Sequence, residues 1–235
     1  MSNNYFQFKQ FTIEQDDCAM KVGTDGCLLG GWFDCRESRR ILDAGCGTGL
    51  IAIMAAQRSV AEVVGVEIDT KAAARARKNA DKSPWGERIK IELCDLLEYN
   101  AEAPFDTIVS NPPYFVNSLK CDDTSRSVAR HSDTLDCRMF FGKCCRILSL
   151  NGHISIVIPC DIFEEWKSAA MEHGLYPTRV TFVRTTPKKM PKRVLVEFGR
   201  EMPDITLEET LILETSPGEY SDEAKEILQD FYLKL

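Results

Sequence analysis

The chain has 235 residues, 44% of them apolar and 28% charged, which is length enough to bury a core and an ordinary globular composition. Collagen-like, low-complexity and polyelectrolyte chains are excluded, and no apolar run approaches the ~18 residues that a membrane-spanning helix needs. The net charge of −7 is unevenly placed: Glu201 to Leu235 holds ten acidic and two basic residues, whereas residues 1–200 hold 26 acidic and 27 basic.

Residues 1–40 mix short apolar groups with Thr24-Asp25-Gly26 and Gly30-Gly31-Trp32. After them, short apolar runs alternate with helical stretches. Ile41 to Ala44 reads as a buried strand ending in a glycine turn, and Leu50 to Arg58 as a helix. Glu62 to Glu67 reads as a second strand and Lys71 to Lys82 as a second helix. Ile89, Ile91 and Leu93 alternate as a third strand, and Phe105 to Ser110 make a fourth. Residues 135–149 carry apolar groups at helical spacing. Gly152 opens a fifth strand through Ile154, Ile156 and Ile158, closed by Pro159, and residues 161–173 read as a helix. Val180 and Phe182, then Val194, Val196 and Phe198, read as the two strands of a late hairpin. Ile205 to Leu213 adds a strand and Asp222 to Tyr232 a terminal helix. Strands separated by helical patterns predict an α/β fold: a mostly parallel sheet with helices on both faces and the hairpin as an antiparallel edge.

The first residues, Met1-Ser2-Asn3-Asn4-Tyr5-Phe6, lack a basic region followed by an apolar one. No secretory leader is therefore expected, and a cytosolic location is. The ten cysteines include no C-x-x-C pair, so reduced thiols acting as small hydrophobes are expected, with no metal site.

Asp43-Ala44-Gly45-Cys46-Gly47-Thr48-Gly49 follows the first strand and opens the first helix. In an open α/β sheet, ligands bind at the carboxyl ends of strands, and glycines there let backbone approach a ligand closely. The spacing G-x-G-x-G differs from the dinucleotide fingerprint G-x-G-x-x-G, so no pyrophosphate is implied. Asp43 suits a cofactor with a cationic amino group. Glu67, at the end of the second strand, suits a ribose diol, and Asp95, at the end of the third, an adenine amine. Residues 41–49 with Glu67 and Asp95 resemble the class I S-adenosylmethionine-dependent methyltransferases. The resemblance implies a Rossmann-like sheet and S-adenosyl-L-methionine as cofactor, held by Asp43, Gly45, Cys46, Gly47, Gly49, Glu67, Ile68, Asp95, Leu96 and Asn111. It divides the chain into an extension (1–40) on the cofactor and substrate side, a catalytic core (41–200) and an acidic segment (201–235), all within one domain.

Asn111-Pro112-Pro113-Tyr114 follows the fourth strand. Two prolines alone would make a rigid strand exit. With Asn before and Tyr after, the tetrapeptide resembles the N-P-P-Y motif of methyltransferases that modify planar amide or exocyclic amine nitrogens. The lone pair of such an amine is delocalised. The Asn111 side-chain oxygen and the Pro112 carbonyl could accept its hydrogens and localise it, with Pro113 stiffening the turn and Tyr114 stacking on the base. Asp106 lies too early in its strand to serve as a base.

N-P-P-Y is shared by protein-glutamine, DNA-adenine and RNA methyltransferases. Met20 to Gly30, Asn111 to Phe115, Ala129-Arg130-His131 and the tail Asp230 to Leu235 resemble a bacterial family of tRNA adenine-N6 methyltransferases. That resemblance implies adenine 37 in the anticodon loop of a valine tRNA as substrate. Modification of a protein glutamine, or of a base in rRNA or DNA, remains the alternative. Arg179 to Arg200 carries seven basic residues against one acid. Its segment with Lys188, Lys189, Lys192 and Arg193 fits an RNA backbone contact or a solvated hairpin tip. Arg126 and Arg130 are further candidates for RNA, and His131 serves equally as a structural histidine. A monomer without metal is expected, its acidic tail either packed on the sheet or solvated.

Overall fold

The computed structural model describes residues 4–16, 21–113 and 136–235. A short antiparallel hairpin, β1 (Tyr5–Gln7) with β2 (Thr12–Glu14), precedes helix α1 (Thr24–Trp32). Then come β3 (Arg40–Ala44), α2 (Leu50–Arg58), β4 (Glu62–Glu67), α3 (Thr70–Lys82), β5 (Ile89–Leu93) and β6 (Phe105–Ser110). After the undescribed stretch follow α4 (Cys137–Ile147), β7 (Leu148–Pro159), α5 (Phe163–Glu172), β8 (Tyr176–Arg184) and β9 (Arg193–Gly199). The chain ends with β10 (Leu207–Ile212), the small hairpin β11 (Glu214–Ser216) and β12 (Glu219–Tyr220), and α6 (Asp222–Leu228).

The main sheet has the order β10-β8-β9-β7-β6-β3-β4-β5. β4 and β5 lie on one side of β3, and the chain then returns to lay β6 and β7 on the other, all parallel. Strand order therefore reverses between β3 and β6, and their carboxyl ends open a crevice there. β9 pairs antiparallel with β7 and with β8. The expected antiparallel hairpin is present, but it is not the outer edge: β10 pairs parallel with β8 and takes that place.

Side-chain alternation sends Ile41, Val63, Val109 and Val157 into one core with α1, α2 and α6, and Leu42, Val64, Ile108 and Ile156 into another with α4 and α5. Helices cover both faces. α3 adds Ala73, Ala76 and Ala80 against Ile91. Its N-cap is Asp69, whose side chain accepts from the Ala72 amide.

Other boundaries differ from the sequence reading. The described part of residues 1–40 forms a hairpin and a helix. β7 starts at Leu148, four residues before the glycine expected to open it, and α5 follows a 3₁₀ turn at Cys160–Ile162. The acidic segment packs: Phe231 is buried, its carbonyl accepts the Lys9 amide at 2.8 Å, and Gln57 Nε2 donates to the Asp230 carbonyl at 3.0 Å.

Candidate functional site

The turn after β3 is anchored first by backbone amides. The Gly45 and Cys46 N–H groups donate to the Val66 carbonyl at 2.8 and 3.0 Å, tying it to the end of β4. Gly47 and Gly49 have φ of 55° and 82°, in the left-handed region that favours glycine. Gly49 also approaches α3 closely, since a Cβ there would lie 3.3 Å from the Ala76 Cβ. At Gly45 and Gly47 a Cβ would meet nothing within 4 Å. Those two glycines face open space: the turn is shaped for something other than protein.

That space is a cavity of about 460 Å³ walled by Lys21 to Gly26, Gly45 to Thr48, Leu50, Ile51 and Asn111 to Pro113. Its size falls within the ~300–1,000 Å³ of small-molecule sites. It sits at the sheet's switch point, between the ends of β3 and β6, which Ser110 pins by donating from Oγ to the Ala44 carbonyl at 2.6 Å. Asn111 follows at once. Its side-chain oxygen is buried and has no hydrogen-bond partner. Pro112 is buried and Pro113 exposed.

Asp43 lies behind this wall. It is 1% exposed. Oδ2 accepts the Ala52 amide at 2.9 Å, in the first turn of α2, and Oδ1 has no partner. Burial pushes the carboxyl up to about 7, helped by repulsion from Glu67 and opposed by the Ala52 bond. Glu67 ends β4 and braces the turn: Oε2 accepts the Gly47 amide at 2.8 Å and Oε1 the Asp69 amide at 2.9 Å. Ile68 beside it is exposed. Asp95 lies two residues beyond β5, accepting the Leu97 amide at 2.9 Å, with Leu96 buried. Glu67, Ile68, Asp95 and Leu96 thus continue the carboxyl rim past the cavity without walling it. The Cys46 side chain turns inward onto Gly65 and Ile91, where burial holds its thiol well above the usual range.

The sequence reading assigned no cavity residue in 21–26, nor Thr48, Leu50 or Ile51. The signal available was Gly23-Thr24-Asp25-Gly26: a Cβ on Gly26 would sit 3.3 Å from Leu50 and 3.9 Å from the Asn111 amide nitrogen. Asp25 also carries a bond to the late hairpin, since Arg193 Nε donates to its Oδ2 at 2.7 Å. Arg193 is therefore part of the cavity's frame, while Lys188, Lys189 and Lys192 are exposed on the same hairpin tip. Two other basic residues of that region serve structure. Arg179 lies over the Trp32 ring at 4.3 Å, and Arg200 donates to the Cys145 and Leu148 carbonyls at the end of α4. Tyr114, Arg126, Arg130 and His131 lie outside the described residues.

The model of the methyltransferase small domain matches residues 19–160. The chain is 48% identical to the tRNA1(Val) (adenine(37)-N6)-methyltransferase of Bacteroides fragilis, and 47% identical to that of Bacteroides thetaiotaomicron. Both alignments cover 100% of each chain. Among solved structures it is similar to a predicted O-methyltransferase from Agrobacterium tumefaciens, with a TM-score of 0.69 and 21% identity, covering 88% of this chain and 96% of that one. At that identity the likeness concerns the fold alone.

Proposed function

The chain belongs to the methyltransferase small-domain family and, within it, to the tRNA1(Val) (adenine(37)-N6)-methyltransferases, and on that premise we propose that it methylates N6 of adenine 37 in the anticodon loop of a valine tRNA, with S-adenosylmethionine as donor. The observation that carries the reading is the Asn111 oxygen: a buried acceptor without a partner, aligned with a glycine turn whose two cavity-facing glycines leave room for a ligand. Burying an unsatisfied acceptor costs about 1–3 kcal/mol, so its retention at this position fits a donor arriving with a ligand.

The residues present fit the cofactor. Gly45 and Gly47 offer backbone at close range, and Glu67 keeps lone pairs free beyond the two amides it accepts, enough for a ribose diol. Ile68 and Leu96 offer apolar contact to a base, and Asp95 an acceptor. When bound, the sulfonium supplies an electrophilic methyl group with a neutral thioether as leaving group. The protein's part is to prepare the amine. Asn111 Oδ1 and the Pro112 carbonyl accept its two hydrogens, which draws the lone pair out of conjugation and toward the methyl carbon. Transfer would leave the amine cationic, and one of its protons would then pass to water. Both acceptors are fixed before the reaction, Asn111 by α1 and β6 and the Pro112 carbonyl by its own ring at φ and by Pro113 at ψ, so little reorganisation accompanies charge development. In-line placement of the bound donor would supply much of the remaining acceleration.

The test is transfer from labelled S-adenosylmethionine to total tRNA, DNA and protein in parallel, followed by nucleoside analysis of purified valine tRNA. Label in N6-methyladenosine at position 37 is expected. Label confined to protein or DNA would overturn the reading.

A further inference from the structure

Asn79 on α3 is 1% exposed, in the middle of an Ala/Lys/Arg-rich helix. Its Oδ1 accepts the Glu14 amide at 3.0 Å, and its Nδ2 donates to the Glu14 carbonyl at 3.0 Å and to the Thr48 carbonyl at 2.9 Å. One side chain therefore binds β2 as a neighbouring strand would, and at the same time holds the glycine turn. The next residue of the chain extends the link: Gln15 Oε1 accepts the Val22 amide at 2.8 Å. Val22 walls the cavity, and so does Thr48. The two walls are thus joined behind the cavity by one run of contacts, Thr48 to Asn79 to Glu14 to Gln15 to Val22.

We propose that Asn79, acting through Gln15, is a positioning residue that sets the spacing of the cavity's two walls and thereby the affinity for S-adenosylmethionine, without touching it. The inference rests on the functional reading above. Glu14 is also held to α3 by ion pairs with Arg75 and Lys82, but Lys82 is largely exposed, and pairs of that kind contribute little. The Asn79 side chain is itself buried, its bond to Thr48 is buried and its two bonds to Glu14 are part-buried, and all three have fixed directions. They are the ones able to hold a register between β2 and the turn.

Three variants test this: Asn79→Ala, Gln15→Ala and, as a control on the same Glu14, Lys82→Ala. Calorimetry on folded protein should show the cofactor Kd rising roughly tenfold in each of the first two, within the range for one or two buried hydrogen bonds removed. It should stay unchanged in the control. At saturating cofactor, kcat should remain parental, so the defect appears in the cofactor KM alone. The double variant should bind about as well as the weaker single, because both substitutions cut one link. Should Asn79→Ala fail to fold, Gln15→Ala decides. Parental cofactor affinity in the folded variants would overturn the inference and leave the function standing. A parental chain that binds no S-adenosylmethionine would overturn the functional reading itself.

Discussion

Raising the pH from about 4 to about 7 should weaken the cofactor-free protein through one carboxyl, that of Asp43. Burial pushes this group up to about 7 in the folded chain, against ~3.9 when unfolded. Between those values the folded state holds a proton that the unfolded state has released. Stability rises with pH where the unfolded state binds more protons, so here it must fall, by at most about 1.4 kcal/mol per pH unit. Below the unfolded value both states are protonated, above the folded value neither is, and the contribution is flat. Asp34 works in the opposite sense. The Arg36 guanidinium holds its carboxyl well below the usual range, so its contribution is lost only as pH falls below about 4, outside the window. Asp43→Asn keeps an oxygen for the Ala52 amide and removes the titration. The assay is chemical denaturation of parent and variant at half-unit steps from about pH 3 to about pH 8, spanning the two values, with the difference between them as the readout. The difference should slope through the window and level off near neutrality. A flat difference throughout would refute the reasoning and place an ordinary carboxylate at the unpaired Oδ1.

Asn111→Ala should bind S-adenosylmethionine nearly as the parent does and lose about 10²–10³ in the single-turnover rate, since its acceptor acts on the amine as charge develops. A parental chemical step would reduce Asn111-Pro112-Pro113 to a stiff strand exit. Glu67→Ala should weaken cofactor binding by about 1.5–3 kcal/mol, the worth of a charge-assisted hydrogen bond. It should also lower the melting temperature, because the Gly47 and Asp69 amides lose their acceptor; calorimetric affinity equal to the parent's would remove Glu67 from the site. Replacing Lys188, Lys189 and Lys192 by alanine should flatten the dependence of log K for tRNA on log salt, by about 0.7–0.9 for each phosphate no longer neutralised. A slope as steep as the parent's would make the tip a solvated loop.

Much of the sheet was legible because its strands carry short apolar runs or alternation, and because their ends are marked. Leu50–Arg58, Glu62–Glu67 and Phe105–Ser110 fold with the bounds their patterns predict. α1 was not legible for a physical reason. Thr24–Trp32 is buried on almost every side, so it shows no helical stripe, and its glycines read as turns. The structure explains those glycines by contact instead: a Cβ on Gly30 would collide with the Met54 sulfur and one on Gly31 with the Ile227 carbonyl. β7 extends earlier than expected because Ser149 and Asn151 are polar and its first half is partly exposed. Asn79 gave no signal either, since a polar residue between Lys78 and Ala80 reads as solvent-facing. Of the site, the G-x-G-x-G turn and Asn111 could be read directly, because their residue types are dictated locally. The wall formed by residues 21–26 could not, because it depends on a helix that packs from elsewhere in the chain.

That wall also accounts for the two ends of the chain. The extension before β3 supplies one side of the cavity, and nothing local fixes it there. α1 is held instead by neighbours distant in sequence. Gly26 packs on Leu50 and Asn111, Gly31 on the Ile227 carbonyl, and Asp25 binds Arg193 of the late hairpin. The N-terminal hairpin is closed by the tail, through the Lys9 amide on the Phe231 carbonyl and the rings of Phe6 and Phe8 beside Tyr232. The tail therefore acts through its apolar residues. Its acidic side chains are mostly exposed, and screening confines their field to about 10 Å. A chain of negative net charge can in this way carry a basic hairpin that Arg193 ties to the cavity wall at Asp25, with the acidic segment serving as packing for the helix that contributes to that wall.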